Sequence, residues 1–426
     1  MAAATILLVG VPYRSGSAGQ GPAHITPADG GAVLLVALVG MQLFTYTGRR
    51  RLRTRILLPL VGLAIAIVVS GAVSTDHSAL SGVVRYLEIF VVVPAAAYLS
   101  LDDATDLKVV LAALLGLAAM EGAVGVWQYV TGAGAGLGAS TNRAVGTFGA
   151  DEVIAMSKVV TYGALVGLAY ALTATGWRAR LGALSAALLM VPLLMSVSRG
   201  SWLAAMCAGM VMLLLVAWRW TALLVALVAL VTVGTVVAQG SHSLVLKRMD
   251  SLVSTLGHAD PSVTNRYRLW DTALNIWEHY PVFGVGPKAF PDYRDRYASK
   301  GLVVTSAESD SAGYRLAPIL TPHSLYLLFL SETGALGCLA LLGLFGWMLG
   351  GCVHAVRAGP RDGVPRVFIL FALGFAVAEA VNGVYGDIGG ATSVLDAVLI
   401  GCVLSAARAG ACRSTRTADV TANSIS

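Results

Sequence analysis

The sequence predicts an all-α polytopic membrane protein, and three observations carry that reading. Hydrophobic residues make up 57% of the 426 residues and charged residues only 12%. Apolar runs of about 17–25 residues, the length that crosses a bilayer as a helix, recur along nearly the whole chain. The arginines collect in a few short loops between those runs. A soluble globular chain is excluded, because segments this apolar satisfy their backbone in lipid only as helices.

Met1 to Tyr13 holds a short apolar run without the basic start of a secretory signal. It reads either as a short or tilted first span or as an interfacial segment. Spans are then expected at 31–47, 56–73, 80–99, 108–130, 152–174, 181–197, 201–218, 221–239, 323–350, 366–385 and 391–408. Arg49, Arg50, Arg51, Arg53 and Arg55 share one short loop; Arg178 and Arg180 share another, and Arg357, Arg361 and Arg366 a third. Arg408, Arg413 and Arg416 follow the last span. The positive-inside rule makes these cytoplasmic. Alternation puts 74–79, 131–151, 198–200, 240–322 and 386–390 outside. If residues 1–13 span, about twelve helices result, with both ends in the cytoplasm; if not, the N-terminus lies outside.

The chain thus divides into N-terminal transmembrane helices over 1–239, a large extracytoplasmic loop over 240–322, C-terminal transmembrane helices over 323–408, and a cytoplasmic tail over 409–426. That tail lacks apolar periodicity and is expected to be disordered. The net charge of +6 follows from loop asymmetry and lipid-headgroup contacts, so nucleic-acid binding gains no support. Cys207, Cys338, Cys352, Cys402 and Cys412 lie in spans or on the cytoplasmic side without CxxC spacing, which indicates packing residues and neither a disulfide framework nor a metal site.

Function is expected where the polar residues are. Residues 264–280 read as an amphipathic helix, with Leu269, Trp270, Ala273, Leu274 and Trp277 at helical spacing and Pro281 ending it. Arg266, four residues before Trp270, belongs at the edge of the apolar face, whereas Arg268 shares a face with Asp271 and Thr272 and suits an i,i+3 pair. Pro281, Gly284, Gly286 and Pro287 then force a compact turn. A phosphate-cradling loop is excluded here, and at GAGAGLGA (132–139), because no strand precedes either and no Lys-Ser/Thr pair follows; GAGAGLGA reads as a flexible external loop. Lys288, Arg294, Arg296 and Arg315 alternate with Phe290, Tyr293, Tyr297 and Tyr314. Rings and cations together suit a glycan on a phosphorylated carrier, and equally an ordinary membrane-surface helix.

The sharpest local signal is TPHSLYLLFLSETGALG. Thr321 is a suitable N-cap and Pro322 a favoured first residue, so His323 is expected in the first turn of a membrane helix at the water interface, where the helix dipole disfavours added positive charge and leaves the ring free to act as acceptor or general base. A merely capping histidine fits the same position. Arg199, in MSVSRGSWLA, tops a helical hairpin; held at depth without a partner it costs about 2.5–3.5 kcal/mol, so it either snorkels or turns toward an anionic ligand. Glu88 has Arg85 at i,i+3, whereas Glu121 and Glu379 lie in spans without a partner legible in the sequence.

SRGSWLA (198–204), NRYRLWDTALNIWEHYPVFGVGPKAF (265–290) and HSLYLLFLSETGALG (323–337), in this order around one large loop, resemble the O-antigen ligase and polymerase superfamily of bacterial envelope glycosyltransferases. The resemblance implies a lipid-dependent, GT-C-like glycosyltransferase fold and action on a glycan carried by undecaprenyl pyrophosphate at the periplasmic face of the inner membrane. It makes Arg199 and Arg266 pyrophosphate-binding residues and His323 the catalytic one, with Arg268, Trp270, Lys288 and Arg294 as candidate glycan or phosphate contacts. The family usually has Asn after this histidine; here it is Ser324, which still offers a hydroxyl. The chemistry agrees. Attack of an acceptor hydroxyl on an anomeric carbon needs a base, and the departing pyrophosphate needs positive charge. No Asp-x-Asp or His/Asp cluster in the loop indicates a divalent metal or other cofactor. A single displacement inverts the anomeric centre.

A single dominant loop favours a ligase, which joins the glycan to the lipid A core, over a polymerase, which joins it to a second lipid-linked glycan. A transporter would also have about a dozen helices and intramembrane charge, but no inverted repeat is detectable and the cations gather at one external face.

Overall fold

The computed structural model describes residues 1–12, 26–44, 55–76, 78–136, 142–149, 152, 154–218, 261–310 and 313–423. Among them, eight helices are long and apolar enough to cross a membrane: α4 (Ala79–Ser100), α5 (Ala104–Thr131), α6 (Ala155–Thr173), α7 (Trp177–Met195), α8 (Arg199–Trp218), α11 (Leu325–Ala358), α12 (Gly363–Tyr385) and the Gly390–Arg408 part of α13 (Gly390–Asn423). Two shorter apolar helices, α2 (Pro27–Leu43) and α3 (Leu58–Val73), match two further expected spans. The expected span at 221–239 and the arginine loop at 49–53 lie outside the described residues. The chain is a multi-pass membrane protein.

Local chemistry sets many of the helix ends. Thr26 and Asp29 form a reciprocal capping box at the start of α2, followed by Pro27, and Asp103 and Asp106 do the same for α5. Gly132, left-handed at φ 74°, ends α5. A π-turn over Glu88–Val92 precedes Pro94 in α4, where the proline ring removes a backbone donor and crowds the carbonyl four residues back. α1 (Ala2–Leu8) has seven residues and rises about 10 Å, a third of the hydrocarbon core of about 30 Å. It is no span as described; it packs on α2 and α5, with Thr5 Oγ1 donating to the Gly31 carbonyl at 3.2 Å.

α6, α12 and the membrane part of α13 are buried nearly all round and form the centre, while α7 and α8 turn most of their surface outward. Within that centre Lys158 of α6 pairs with Glu379 of α12 at 3.2 Å and Asp396 of α13 at 2.5 Å, and the Tyr162 hydroxyl reaches both carboxylates. Glu379 therefore has partners that no local pattern shows. Glu121 accepts from the backbone and hydroxyl of Thr147. Glu88 meets Arg85 at 2.9 Å as expected, and Asp29 joins them at 2.6 Å.

α11 is broken at Gly334, φ 65°, and the turn at 281–286 fills the break. Val285 and Gly286 donate to the carbonyls of Ser331 and Glu332, and Ala335 and Leu336 donate to those of Pro281 and Val282. Irregular backbone at this depth persists only because each freed group finds a partner in the protein. A Cβ at Gly284 or Gly334 would lie within 2.6 Å of the facing backbone, so the glycines permit close approach as well as the turn.

Three expectations need correction. A four-stranded antiparallel sheet, order β2-β1-β3-β4, adds strand structure to the helical fold: β1 (Ala135–Gly136), β2 (Asn142–Arg143), β3 (Thr305–Asp310) and β4 (Gly313–Pro318). It draws part of GAGAGLGA into β1 and replaces the surface-helix reading of 288–315, of which only α10 (Phe290–Arg294) is helical. Long-range pairing of two loops overrides their local composition. Finally, α13 runs on to Asn423, so the expected disordered tail has helical backbone to that point, propagated from a packed nucleus.

Candidate functional site

One end of the bundle carries 142–149, the 195–199 turn, 261–310, 313–324 and 386–389; the other carries Arg178, Arg180, Arg357, Arg366 and Arg408 at helix ends. The first is the loop face. α9 (Pro261–His279) lies on it, packed against α11 through Leu269, Ala273 and Ile276. Leu274, expected on the apolar side, is 38% exposed. Arg266 and Trp270 share a side as their spacing requires, and both lie toward Tyr385, whose ring is 6.4 Å from that of Trp270.

His323 does not lie in a helical turn. α11 begins at Leu325 with Ser324 as N-cap, and His323 precedes it in a left-handed conformation, φ 53°. Thr321 is drawn away from capping because its hydroxyl donates to Asp387, in the loop between α12 and α13. The Leu325 amide donates to the Gly386 carbonyl at 2.8 Å, which ties that loop to the start of α11. His323 Nδ1 consequently sits 3.5 Å from Asp387 Oδ2, long for a hydrogen bond, with 43% of the His323 side chain and 17% of the Asp387 side chain exposed. Burial pushes the Asp387 carboxyl up, but His323 beside it, the Thr321 hydroxyl and the Arg266 charge together hold it below the usual carboxylate range. Ser324 Oγ turns to the Gly383 carbonyl at 3.4 Å.

Arg199 is exposed in the first turn of α8. The turn before it contains Val197 at φ 52°, a costly conformation for a β-branched residue and one that sets how the hairpin presents Arg199. Burial holds the Arg266 guanidinium below its ordinary value; Asp387 and Tyr385 pull it up and Arg199 pushes it down. Arg199, Arg266, His323 and Asp387 are therefore neighbours.

The other candidates go elsewhere. The Arg268 guanidinium donates to the Gly301 carbonyl instead of pairing with Asp271, because the chain leading to β3 folds back across α9. Arg294 is buried and spends its donors on Asp295 and the Ile319 carbonyl. Lys288, φ 63°, donates its backbone N–H to Glu332, which also receives the Phe290 amide and the Tyr86 hydroxyl. Burial, with Arg85 adding to it, holds the Lys288 ammonium below its ordinary value against Glu332 and Glu88. Trp270 stays at the site, its Nε1 buried without a partner among the described residues.

Sequence reading missed Asp387, Tyr385 and Arg143. A lone acid in the glycine-flanked VYGDIGG between two apolar spans was the available signal for the first. Arg143 had none beyond being a solitary cation in a short loop.

Residues 183–342 match the family model described as O-antigen ligase. No curated protein matches the chain. A chain from a solved structure described as "Structural coordination of polymerization and crosslinking by a peptidoglycan synthase complex" is similar at 19% identity over 89% of this chain and 97% of that one, with a TM-score of 0.38.

Proposed function

We propose, from the match of residues 183–342 to the O-antigen ligase family model, that this chain is a glycosyltransferase that moves a glycan from undecaprenyl pyrophosphate to a hydroxyl of the lipid A core. The observation that supports this reading best is the His323–Asp387 pair at 3.5 Å beside Arg266 and Arg199 on the loop face. His323 Nδ1 faces Asp387, which leaves Nε2 for the acceptor. The acceptor O–H bond breaks as its proton passes to Nε2, the oxygen bonds to the anomeric carbon, and the bond from that carbon to the phosphate oxygen breaks with its electron pair leaving on the lipid pyrophosphate. Asp387 fixes the ring and balances the imidazolium, and the contact shortens when substrate is bound. Arg199 and Arg266 stabilise the departing phosphates. One displacement inverts the anomeric centre. Trp270 and Tyr385 supply a ring surface for sugar.

The reading takes the fold as GT-C-like with up to about twelve spans and puts the loop face in the periplasm and the arginine-bearing helix ends in the cytoplasm. The test is reconstitution of the purified protein with an undecaprenyl-pyrophosphate glycan and, separately, lipid A core or a second lipid-linked glycan, with and without chelator. Product on lipid A core that withstands chelation and is lost in His323→Ala is expected. Elongated lipid-linked glycan would make the protein a polymerase, and solute uptake that survives His323→Ala with no product would make it a transporter.

A further inference from the structure

At the end of the bundle opposite the loop face, a cavity of about 300 Å³ opens where α4 gives way to α5, α11 gives way to α12, and the membrane part of α13 ends. That volume stands at the foot of the range of small-ligand sites, about 300–1,000 Å³. The cavity between the loop face and the centre, about 20 Å³, has room for a single water. Leu107 of α5 and the buried Phe368 and Ile369 of α12 give the larger cavity an apolar lining, and Asp102, Asp103 and Arg408 bring charge of both signs to it. Arg408 Nη2 donates to the Leu101 carbonyl at 3.3 Å, and its Cζ lies 5.3 Å from the centre of the Tyr98 ring. Among the described residues no carboxylate pairs with it. Asp103 accepts the Thr105 and Asp106 amides as the N-cap of α5, both on Oδ1, and its Oδ2 accepts none among the described residues. A guanidinium and a carboxylate thus line one cavity without meeting, and a ligand that carries both charges can satisfy the two together.

We propose that this cavity binds the headgroup of a zwitterionic aminophospholipid from the leaflet opposite the loop face, with the phosphate on Arg408 and the primary ammonium on Asp103. The helix ends put the cavity at headgroup level, and its apolar lining suits the start of the acyl chains. Two carboxylates against one guanidinium leave the lining net negative, which disfavours an anionic headgroup that has no cation of its own. A quaternary ammonium has no proton to donate to Asp103, and the ring that could receive it, Tyr98, is fully buried beneath Arg408. A primary ammonium has three donors. A charge-assisted hydrogen bond of this kind separates ligands by about tenfold. The proposal does not depend on the glycosyltransferase reading, because no residue of the His323 site takes part.

The experiment measures equilibrium binding of phosphatidylethanolamine, phosphatidylcholine, phosphatidylglycerol and soluble glycerophosphoethanolamine to purified, delipidated full-length protein in detergent, wild type against Asp103→Asn and Arg408→Gln. Wild type is expected to bind phosphatidylethanolamine about tenfold tighter than the other two lipids. Asp103→Asn, whose amide oxygen keeps the N-cap of α5, loses that preference. Arg408→Gln weakens all three lipids by about tenfold, because each carries the phosphate. Equal binding of the three lipids by wild type would show only the lipid that surrounds any membrane protein and overturn the proposal. A preference that survives Asp103→Asn, or an affinity unchanged in Arg408→Gln, would place the headgroup elsewhere and overturn it too. Glycerophosphoethanolamine bound as tightly as the lipid would make the cavity a site for a soluble phosphoamine and end the lipid assignment. If Arg408→Gln fails to fold, Asp103→Asn decides: lost preference supports the proposal, and retained preference ends it.

Discussion

Two groups of charged residues in this molecule each bring cations and carboxylate together and behave in opposite ways. In the membrane centre Lys158, Glu379, Asp396 and Tyr162 come from three helices, bury one another and bond among themselves. On the loop face Arg199, Arg266, His323 and Asp387 come together, cations outnumber the carboxylate, and His323 keeps 43% of its side chain exposed. A closed network holds helices in register; the loop-face group leaves part of its surface in water. Asp387, Glu379 and Asp396 also line one narrow cavity between the loop face and the centre. Helices α12 and α13, which hold the closed group, also carry the loop that holds Asp387.

The contrast can be broken by substitution. The largest effect is expected at His323: alanine there lowers glycan transfer by about 10²–10⁴-fold, the range for a lost general base, while thermal stability in detergent stays at the wild-type value. Transfer within a few-fold of wild type would remove His323 from the chemistry. Lys158→Met should do the reverse. It leaves two buried carboxylates facing each other and costs about 3–5 kcal/mol of stability, read as a lowered unfolding midpoint, and Asp396→Asn in the same chain should restore part of it; an unchanged midpoint in the single variant would show that the central group is no closed network. Arg266→Gln is expected to reduce transfer by about 10²–10³-fold with a normal midpoint, and a fall in midpoint in place of activity would put Arg266 with the structural residues.

The smallest effect sharpens the comparison by pH. The Asp387 carboxyl is held below its ordinary range in the folded protein. Between the folded and unfolded values the unfolded chain binds more protons, so stability rises with pH there. Asp387 thus contributes stability that is complete above the ordinary carboxylate range and is lost as pH falls through the lower folded value. Asp387→Asn should flatten that acid limb of the unfolding midpoint, and an unaltered limb would mean that the His323 and Thr321 contacts do not favour the carboxylate.

The comparison also marks which residues can be recognised from local pattern. Arg266 and Trp270 were legible because they sit in a short stretch whose helical spacing already fixes their side, whereas Arg199 was legible only as the cation at the top of a hairpin. His323 was legible as a residue and wrong in its setting: a Thr-Pro-His string ahead of an apolar run is a good helix start, and only the competing bond from Thr321 to Asp387 moved the start to Leu325. Arg268, Arg294 and Lys288 looked alike as loop cations, yet Arg268 and Arg294 are committed to backbone carbonyls supplied by distant residues, and Lys288 lies against Glu332.

What the sequence alone determined is the membrane-embedded helical character, most span positions, the polar segment between them and the compact glycine turn, because hydropathy, helix propensity and left-handed backbone tolerance are properties of short stretches. What only the tertiary structure decided is the pairing of Lys158 with Glu379 and Asp396, the insertion of 281–286 into the break of α11, the sheet in which β1 and β2 join β3 and β4, and the convergence of Arg199, Arg266, His323 and Asp387. Each of these joins residues far apart in the chain, and their partners are selected by helix packing and by the requirement that buried charge and buried backbone be satisfied, which no local window of sequence contains.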